Sequence, residues 1–309
     1  MTASVVLPKK SDRPNWEEPP TAAGQAGKST VLFLVVAVVI VPLYMVVLTS
    51  LSTQGAVNRA GGMVLVPHGI TFEAYRQIFS NQLVMHSLLV SFGITIVGTV
   101  LSMVVTILCA YGLSRRNSYA HRSILMILVV TMFFSGGLIP SFLVVTALGG
   151  YDSYWSLILP GAVSVFNILV VRAFFAGTAQ DLIDAAAIDG ASEWRTLWSV
   201  VLPTSRAVTA VVALFYAVGY WNTFFNALLY LPDNQKWPLQ MVIYTYTLQG
   251  NAMPGTGQNT TGQYFGNQQI APLAIQMAVV TLTLIPILVI YPFVQRHFAK
   301  GVLLGAIKG

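Results

Sequence analysis

Charged residues are scarce in this sequence. Only 8% of its 309 residues are Asp, Glu, Lys or Arg, whereas 55% are hydrophobic. A soluble domain carries about a quarter charged residues, so this chain cannot cover the surface of a water-soluble globule of its size. Such a composition suits lipid, and the sequence predicts a protein embedded in a membrane. The net charge of +6 does not indicate a nucleic-acid partner, because the basic residues lie between long apolar runs.

Side chains that could perform chemistry are also few. Cys109 is the single cysteine, which excludes an internal disulfide and a cysteine-based metal cluster. The four histidines lie far apart, and the apolar runs contain no Asp or Glu. We therefore expect no catalytic residue, no metal site and no cofactor bound by this chain.

Residues 24–30 read Gly-Gln-Ala-Gly-Lys-Ser-Thr, which ends like a phosphate-binding loop. The full pattern needs a glycine where this chain has Ala22, and it needs a strand before the loop and a soluble helix after it. Here two prolines precede the segment and an apolar run follows it. We predict that this segment does not bind ATP and that Lys28 lies at the lipid headgroups.

Long intervals without charge predict the membrane spans. About 20 apolar residues are enough to cross the hydrocarbon layer as a helix. The chain offers six such segments, and we predict an all-α membrane protein with six transmembrane helices. They are residues 31–51, 85–112, 123–147, 155–176, 207–230 and 272–294. Gly136, Gly137 and Pro140 are expected to break or kink the third helix.

The basic residues predict the orientation of these spans. Thirteen of the 16 Lys and Arg residues fall on one side of the predicted topology. By the positive-inside rule both termini are cytoplasmic, which an even number of crossings requires. The predicted layout is a cytoplasmic segment 1–30, a transmembrane domain 31–294 and a cytoplasmic tail 295–309. Its main inner loop is 177–206, and residues 231–271 form a long, polar outer loop without evident secondary structure.

The inner loop has a distinctive pattern. Asp184, Ala185 and Ala186 are followed by Gly190, where the chain can turn sharply. Ser192 can cap a second short helix, in which Trp194, Leu197, Trp198 and Val201 follow helical spacing until Leu202 and Pro203. The residues alone allow two interpretations: a compact knob of two helices facing the cytoplasm, or an ordinary amphipathic loop at the membrane surface.

This loop resembles the signature of bacterial ATP-binding-cassette (ABC) importer permeases, Glu-Ala-Ala-x-x-x-Gly-x(9)-Ile-x-Leu-Pro, with Asp184 in place of Glu and Val200 in place of Ile. Residues 134–140, 155–161, Trp221-Asn222 and the C-terminal residues 291–301 are similar to the sugar-importer branch. That branch contains the second permease of maltose-type systems and permeases for oligosaccharides and polysaccharide fragments.

The resemblance implies a set of partners. They are a second homologous permease subunit, two ATP-binding subunits that bind the ATP, an extracellular or periplasmic sugar-binding protein, and membrane lipid. It also implies that Asp184, Ala185, Ala186, Gly190, Leu202 and Pro203 belong to the loop that couples to an ATPase. The outer loop, around residues 250–268, is expected to contact the binding protein.

The fifth predicted helix contains candidates for the substrate pathway. Asn222 and Asn226 are four residues apart and share one face, and Tyr216 and Tyr220 form the neighbouring stripe. Asn167 of the fourth helix could join them. Amides pair with sugar hydroxyls and aromatic rings cover apolar sugar faces, but these side chains could equally bond between helices.

The sequence therefore predicts a permease subunit that moves a sugar, an oligosaccharide in particular, across the bacterial cytoplasmic membrane. One alternative is a permease for another solute, such as a peptide or polyamine. A second is a membrane-embedded enzyme, which the lack of acidic residues in the spans disfavours.

Overall fold

The computed structural model describes residues 21–115, 120–134, 136–178, 180–247, 263–265, 268–270 and 272–306. The chain divides into two units, residues 1–45 and 46–309. In the first unit, residues 22–45 form most of helix α1 (Ala22–Ser50). The apolar side chains of α1 between Val31 and Tyr44 are largely exposed, as expected of a helix that meets lipid or another protein chain. Residues 24–30 are helical and form no phosphate-binding loop.

The second unit is built from helices. In chain order they are α2 (Gln54–Ala60), α3 (Glu73–Ser80), α4 (Gln82–Ser114), α5 (His121–Phe133), α6 (Leu138–Ala147), α7 (Trp155–Ile158), α8 (Val165–Thr178), α9 (Gln180–Ile188), α10 (Glu193–Thr196), α11 (Leu202–Thr204), α12 (Arg206–Trp221), α13 (Phe225–Tyr230), α14 (Leu239–Thr247) and α15 (Pro272–Ala306). Short 3₁₀ turns cover Leu159–Gly161 and Asn234–Lys236, and a π-helical stretch covers Leu197–Val201. A small antiparallel hairpin pairs β1 (Gln263–Phe265) with β2 (Gln268–Ile270), with Gln263 opposite Ile270. The helical class predicted from the sequence is confirmed.

Within the described ranges, three helices are long and apolar enough to cross a membrane: α1, α4 and the Leu273–Pro292 part of α15. Up to six spans result if each of three bent helix pairs is one span. The axes of α5 and α6 differ by 116°, so the third predicted span is broken far more sharply than a kink would break it. Gly137, at φ +80°, allows this change of direction because it has no side chain.

The fourth and fifth predicted spans are also interrupted. The segment 155–161 meets α8 at 49°, next to Pro160. The predicted helix 207–230 is two helices, α12 and α13, separated by residues 222–224. The outermost predicted bounds differ as well, because α1 begins at Ala22 and α15 continues to Ala306.

The main core surrounds α4, which packs against α8 and α12. Val171 and Phe175 of α8 and Val212 of α12 are fully buried there, together with Ala110 of α4. Small or flat side chains at these crossings let apolar helices approach closely, as is common in membrane proteins.

A second core lies under helices of the predicted outer loops. Ile78 of α3, Leu239 and Val242 of α14, and Ala274 and Ala278 of α15 are almost completely buried in it. The expectation that residues 231–271 lack secondary structure is therefore wrong for 239–247. Residues after 248 are mostly polar and make the whole segment 231–271 polar on average. The apolar residues of α14 are therefore not apparent from its composition.

Candidate functional site

The inner loop folds as two helices joined at Gly190. The N–H of Gly190 donates to the carbonyl oxygen of Ala187 (3.1 Å), and that of Ala191 donates to Ala186 (2.9 Å). Gly190 itself has φ +74°. Together these are the two hydrogen bonds and the left-handed residue of a Schellman cap, which ends α9. The turn that the sequence predicted at Gly190 is present.

The second helix begins at Ser192, as predicted from the sequence. The Ser192 hydroxyl accepts a hydrogen bond from the N–H of Arg195 (3.4 Å). The helical face predicted from the spacing is split, however. Leu197 and Val201 are buried, whereas the side chains of Trp194 and Trp198 are 63% and 64% exposed. The loop thus packs against the helices through aliphatic side chains and presents two tryptophans outward.

The predicted motif residues lie around this turn. Asp184 and Ala185 are exposed on α9 and Ala186 is half-buried, while Leu202 and Pro203 form α11 and are half-buried. The chain then bends by 86° between the Glu193–Thr204 segment and α12. The loop is therefore a compact knob, and this 86° bend, the elbow, leads from it into α12.

Three side chains connect this knob to the end of α4, and the sequence did not indicate this contact. Arg115 Nη2 lies 2.6 Å from Glu193 Oε2, and it donates to the Tyr111 hydroxyl at 2.9 Å. The Tyr111 hydroxyl also donates to the Glu193 carboxylate. The Arg115 guanidinium lies over the Tyr111 ring, 5.2 Å from its centroid. The hydrogen bond from Tyr111 and the neighbouring Arg115 lower the pKa of Glu193, against the effect of burial.

Arg172 makes a second connection among the same helix ends. Its Nε donates to the carbonyl oxygen of Leu113 (2.8 Å), one of the last carbonyls of α4, which lack partners within the helix. Its Nη2 lies 3.3 Å from His121 Nε2 at the start of α5. Arg172 thereby connects α8 to the end of α4 and to the start of α5. From the sequence, Arg172 could be interpreted only as one of the basic residues that predict the orientation of the spans.

Tyr216 and Tyr220, predicted for the substrate pathway, are buried and bonded between helices. The Tyr220 hydroxyl donates to the carbonyl oxygen of Ile158 (2.9 Å) and lies 2.8 Å from the hydroxyl of Ser102. The Tyr216 hydroxyl accepts from the N–H of Ser164 (3.3 Å) and lies 2.7 Å from that of Thr106. Ile158 and Ser164 flank the bend in the fourth predicted span, so the tyrosines satisfy backbone groups that the bend leaves without helical partners.

The asparagines are placed differently. Asn167 is buried, and Asn226 is half-buried on α13. Asn222 is exposed at the break between α12 and α13, where its amide nitrogen donates to the carbonyl oxygen of Val218 (2.8 Å) and its oxygen accepts from Gln240 (3.4 Å). Trp221, directly before it, is buried and donates to the carbonyl oxygen of Thr283 (3.1 Å).

Aromatic rings lie beside this amide pair. Phe224 stacks on Tyr244 with ring centroids 5.2 Å apart, and Phe225 packs edge-on against Phe224. Asn222 and Gln240 with these rings form a surface of amides and aromatic faces, the combination that binds sugars. Gln240 and Tyr244 belong to α14, which the sequence interpretation did not include.

No group of three His, Cys, Asp or Glu residues in the described part of the chain could hold a metal ion. Broken helices among membrane-spanning segments are a feature of many transport proteins. No family model matches the chain. Individual relatives do, and they identify its class.

The chain is 43% identical over 247 residues to the polygalacturonan/rhamnogalacturonan transport system permease protein YtcP of Bacillus subtilis, a match that covers 80% of this chain and 85% of YtcP. It is 40% identical over 281 residues to Protein LplC of the same organism, covering 90% and 93%. The fold matches a crystal structure of a bacterial ABC transporter involved in import of the acidic polysaccharide alginate. That match has a TM-score of 0.83 and 26% identity, and covers 91% of this chain and all of the other.

The chain therefore belongs to the permease subunits of bacterial sugar ABC importers. It is a multi-pass protein of the cytoplasmic membrane and a transport subunit, not an enzyme. The family resemblance predicted from the inner-loop motif is confirmed.

Proposed function

We propose that this chain is one of two permeases that together import an oligosaccharide derived from an acidic plant or bacterial polysaccharide. The observation that carries the proposal is the 43% identity to YtcP across 80% of the chain. The fold match to an alginate importer supports the same class of cargo. Both systems are named for carbohydrates, which favours a sugar over a peptide or polyamine.

The proposed topology has six spans and two cytoplasmic termini. Helix α12 has 16 residues, and at 1.5 Å per residue it reaches only about 24 Å, short of a hydrocarbon core of about 30 Å. Adding α13 completes the crossing. The alternative of pairing α12 with the segment before it would place Glu193 and Arg195 in lipid, which is costly.

In this topology the inner knob, residues 177–206, docks on an ATP-binding subunit. Trp194 and Trp198 support this assignment, because two exposed tryptophans beside a rigid turn are typical of an anchor that fills a partner's groove. The remaining partners are the second permease and a sugar-binding protein on the outside. Residues 250–268 are proposed to contact that binding protein. Of these, only 263–265 and 268 are described, in the β1–β2 hairpin, and the rest lie outside the described residues.

The substrate pathway is proposed at the break between α12 and α13. Asn222, with Asn226 behind it, carries this part of the proposal, and Gln240, Phe224 and Tyr244 complete the surface. Exposed amides at membrane depth are costly against lipid and favourable against a sugar or water. Tyr216 and Tyr220 are assigned to contacts between helices. Asn167 is buried and is not part of the exposed surface. Since these amides are uncharged, we assign recognition of the sugar's carboxylates to other subunits.

Transport by the reconstituted complex tests the proposal. Proteoliposomes containing both permeases, the ATPase and the binding protein should take up labelled oligogalacturonides or alginate oligomers when ATP is supplied. A neutral maltooligosaccharide, a tripeptide and a polyamine serve as comparisons. Uptake of the maltooligosaccharide in preference to the acidic oligomers would exclude the acidic cargo, and uptake of only the peptide or polyamine would exclude a sugar permease.

A further inference from the structure

The knob and α4 are distant in sequence but joined by charge. Glu193 is the first residue of α10, and its carboxylate accepts from both Arg115 and Tyr111 at the end of α4. The Tyr111 hydroxyl is also 3.3 Å from the Glu193 carbonyl oxygen. The Arg115 guanidinium also lies over the Tyr111 ring, and this cation–π contact helps to fix the arginine side chain. Three groups that each contact the other two form a closed cluster, which is stiffer than one surface ion pair.

The covalent route from the knob into the membrane contains an elbow. The axes before and after Ser205 differ by 86°, and Ser205 has φ −105° and ψ 21°, outside helical values. A bend of this kind can absorb a movement of the knob by changing a few backbone angles. The backbone alone is therefore a compliant link between the knob and α12.

Helix α4, in contrast, is firmly attached to α12 further along. The pairs Ser102–Tyr220 and Thr106–Tyr216 place two buried hydrogen bonds one helical turn apart between these helices. A force applied to the end of α4 therefore reaches α12 without passing through the elbow. Leu197 and Val201 of the knob also pack in the core that contains Leu113 of α4. The contact of Glu193 with Tyr111 and Arg115 adds a directional polar link that closes this second route.

We propose that Tyr111, Arg115 and Glu193 form a brace across the elbow, so that the ATPase-coupling knob, α4 and α12 move together during transport. The proposal rests on the proposed coupling role of the knob and adds positioning residues to it. Without the brace, the knob would still bind its ATPase, but its movement would be lost in the bend at Ser205.

Single substitutions test the brace in the complete transporter. Tyr111→Phe, Arg115→Gln and Glu193→Gln each remove the hydroxyl or the charge by which one residue contacts the other two. The ATPase should still copurify with all three variants. Sugar transported per ATP hydrolysed should fall at least about fivefold, the lower range for coupling between two sites. Glu73→Gln and Arg76→Gln are matched controls, because they break a 3.4 Å ion pair on α3, away from the knob, and should leave the ratio unchanged.

The pattern across the variants decides the result. A similar loss of coupling in all three variants, partly restored when Arg115→Glu is combined with Glu193→Arg, supports the brace. A defect in Glu193→Gln alone would mean that Glu193 acts by touching the ATPase, and would overturn it. Loss of ATPase copurification in all three would also overturn it, because the cluster would then be needed for docking. If the three variants are normal while Gly190→Pro is defective, the knob keeps its role and the brace does not exist.

Discussion

At the scale of single residues, Gly98 of α4 lies directly against the ring of Tyr220. A Cβ atom added at Gly98 would lie 2.8 Å from the Tyr220 ring, closer than real side chains approach. The ring cannot move away freely, because its hydroxyl is bonded to Ser102 and to the backbone of Ile158. The glycine is therefore required by the position of the tyrosine.

We predict that Gly98→Ala destabilises the protein by about 1–3 kcal/mol, the usual cost of an overpacked core. Gly93→Ala is the matched control on the same helix, since a Cβ there meets nothing within 4 Å. It should be neutral or stabilising by up to about 1 kcal/mol, because alanine favours a helix more than glycine does. Thermal unfolding of the purified complex in one detergent measures both. Equal melting temperatures for the two variants would contradict the close packing of Tyr220.

The ionisation of Glu193 leads to a second prediction at this scale. Its pKa in the folded protein is lowered from 4.5, chiefly by the hydrogen bond from Tyr111 and also by Arg115. Because the pKa is lowered, the ionised carboxylate contributes fully to the stability of the folded protein above pH 4.5. This contribution is lost as the pH falls through the pKa of the folded protein. The factor by which Glu193→Gln reduces coupling should therefore be the same at pH 6 and pH 8. Measuring sugar uptake per ATP at both values checks this, and a defect that disappears at pH 6 would show that the carboxylate is already protonated there.

At the scale of elements, Gly190 determines whether α9 and α10 can form the knob. Gly190→Pro cannot adopt φ +74°, because the proline ring fixes φ near −65°. It also removes the N–H that bonds to Ala187. We predict that the variant inserts into the membrane but that its ATPase fails to copurify, or that loaded binding protein no longer stimulates ATP hydrolysis.

Gly219→Ala is the control for this experiment, because it lies in α12, where a Cβ has open space and φ is ordinary. It should assemble and transport normally. Normal transport by Gly190→Pro would remove the coupling role from residues 177–206.

The same scale shows what the sequence could and could not predict. Runs without charge predicted α1, α4 and the apolar part of α15, because the cost of charge in lipid acts on each residue separately. Gly190 and Ser192 were predicted correctly, because caps and turns depend on local geometry. The Tyr111–Arg115–Glu193 contact and the contacts of Arg172 were missed, since they join residues brought together only by the fold. Helix α14 was missed because its nine residues pack against α4 and α15 without forming a long apolar run.

At the scale of the whole molecule, the end of the spans that we propose to be external carries a charged contact, as the proposed inner end does. Lys236 Nζ lies 2.5 Å from Asp152 Oδ2 and donates to the Asp152 carbonyl oxygen at 2.9 Å. The N–H of Asp152 in turn donates to the carbonyl oxygen of Tyr230 (2.8 Å). The hydrogen bond with Asp152 raises the pKa of Lys236. Ion pairs therefore occur at both ends of the described spans. Between the two ends, α4 and α12 are held together by packing and by hydrogen bonds between uncharged side chains.

The sidedness of these ends gives the last prediction. Cys109 is the single cysteine, so Cys109→Ser yields a cysteine-free background in one step. On it, Tyr151→Cys and Lys28→Cys each place a thiol at an exposed position, the first beside Asp152 and the second near the start of α1. With 13 of 16 basic residues on the inner side of the proposed topology, position 151 should be outside and position 28 inside. A membrane-impermeant maleimide should label Tyr151→Cys in intact cells and Lys28→Cys only after the membrane is opened. The background protein should remain unlabelled and transport normally. The reverse pattern would invert the topology, and the knob could then not meet a cytoplasmic ATPase.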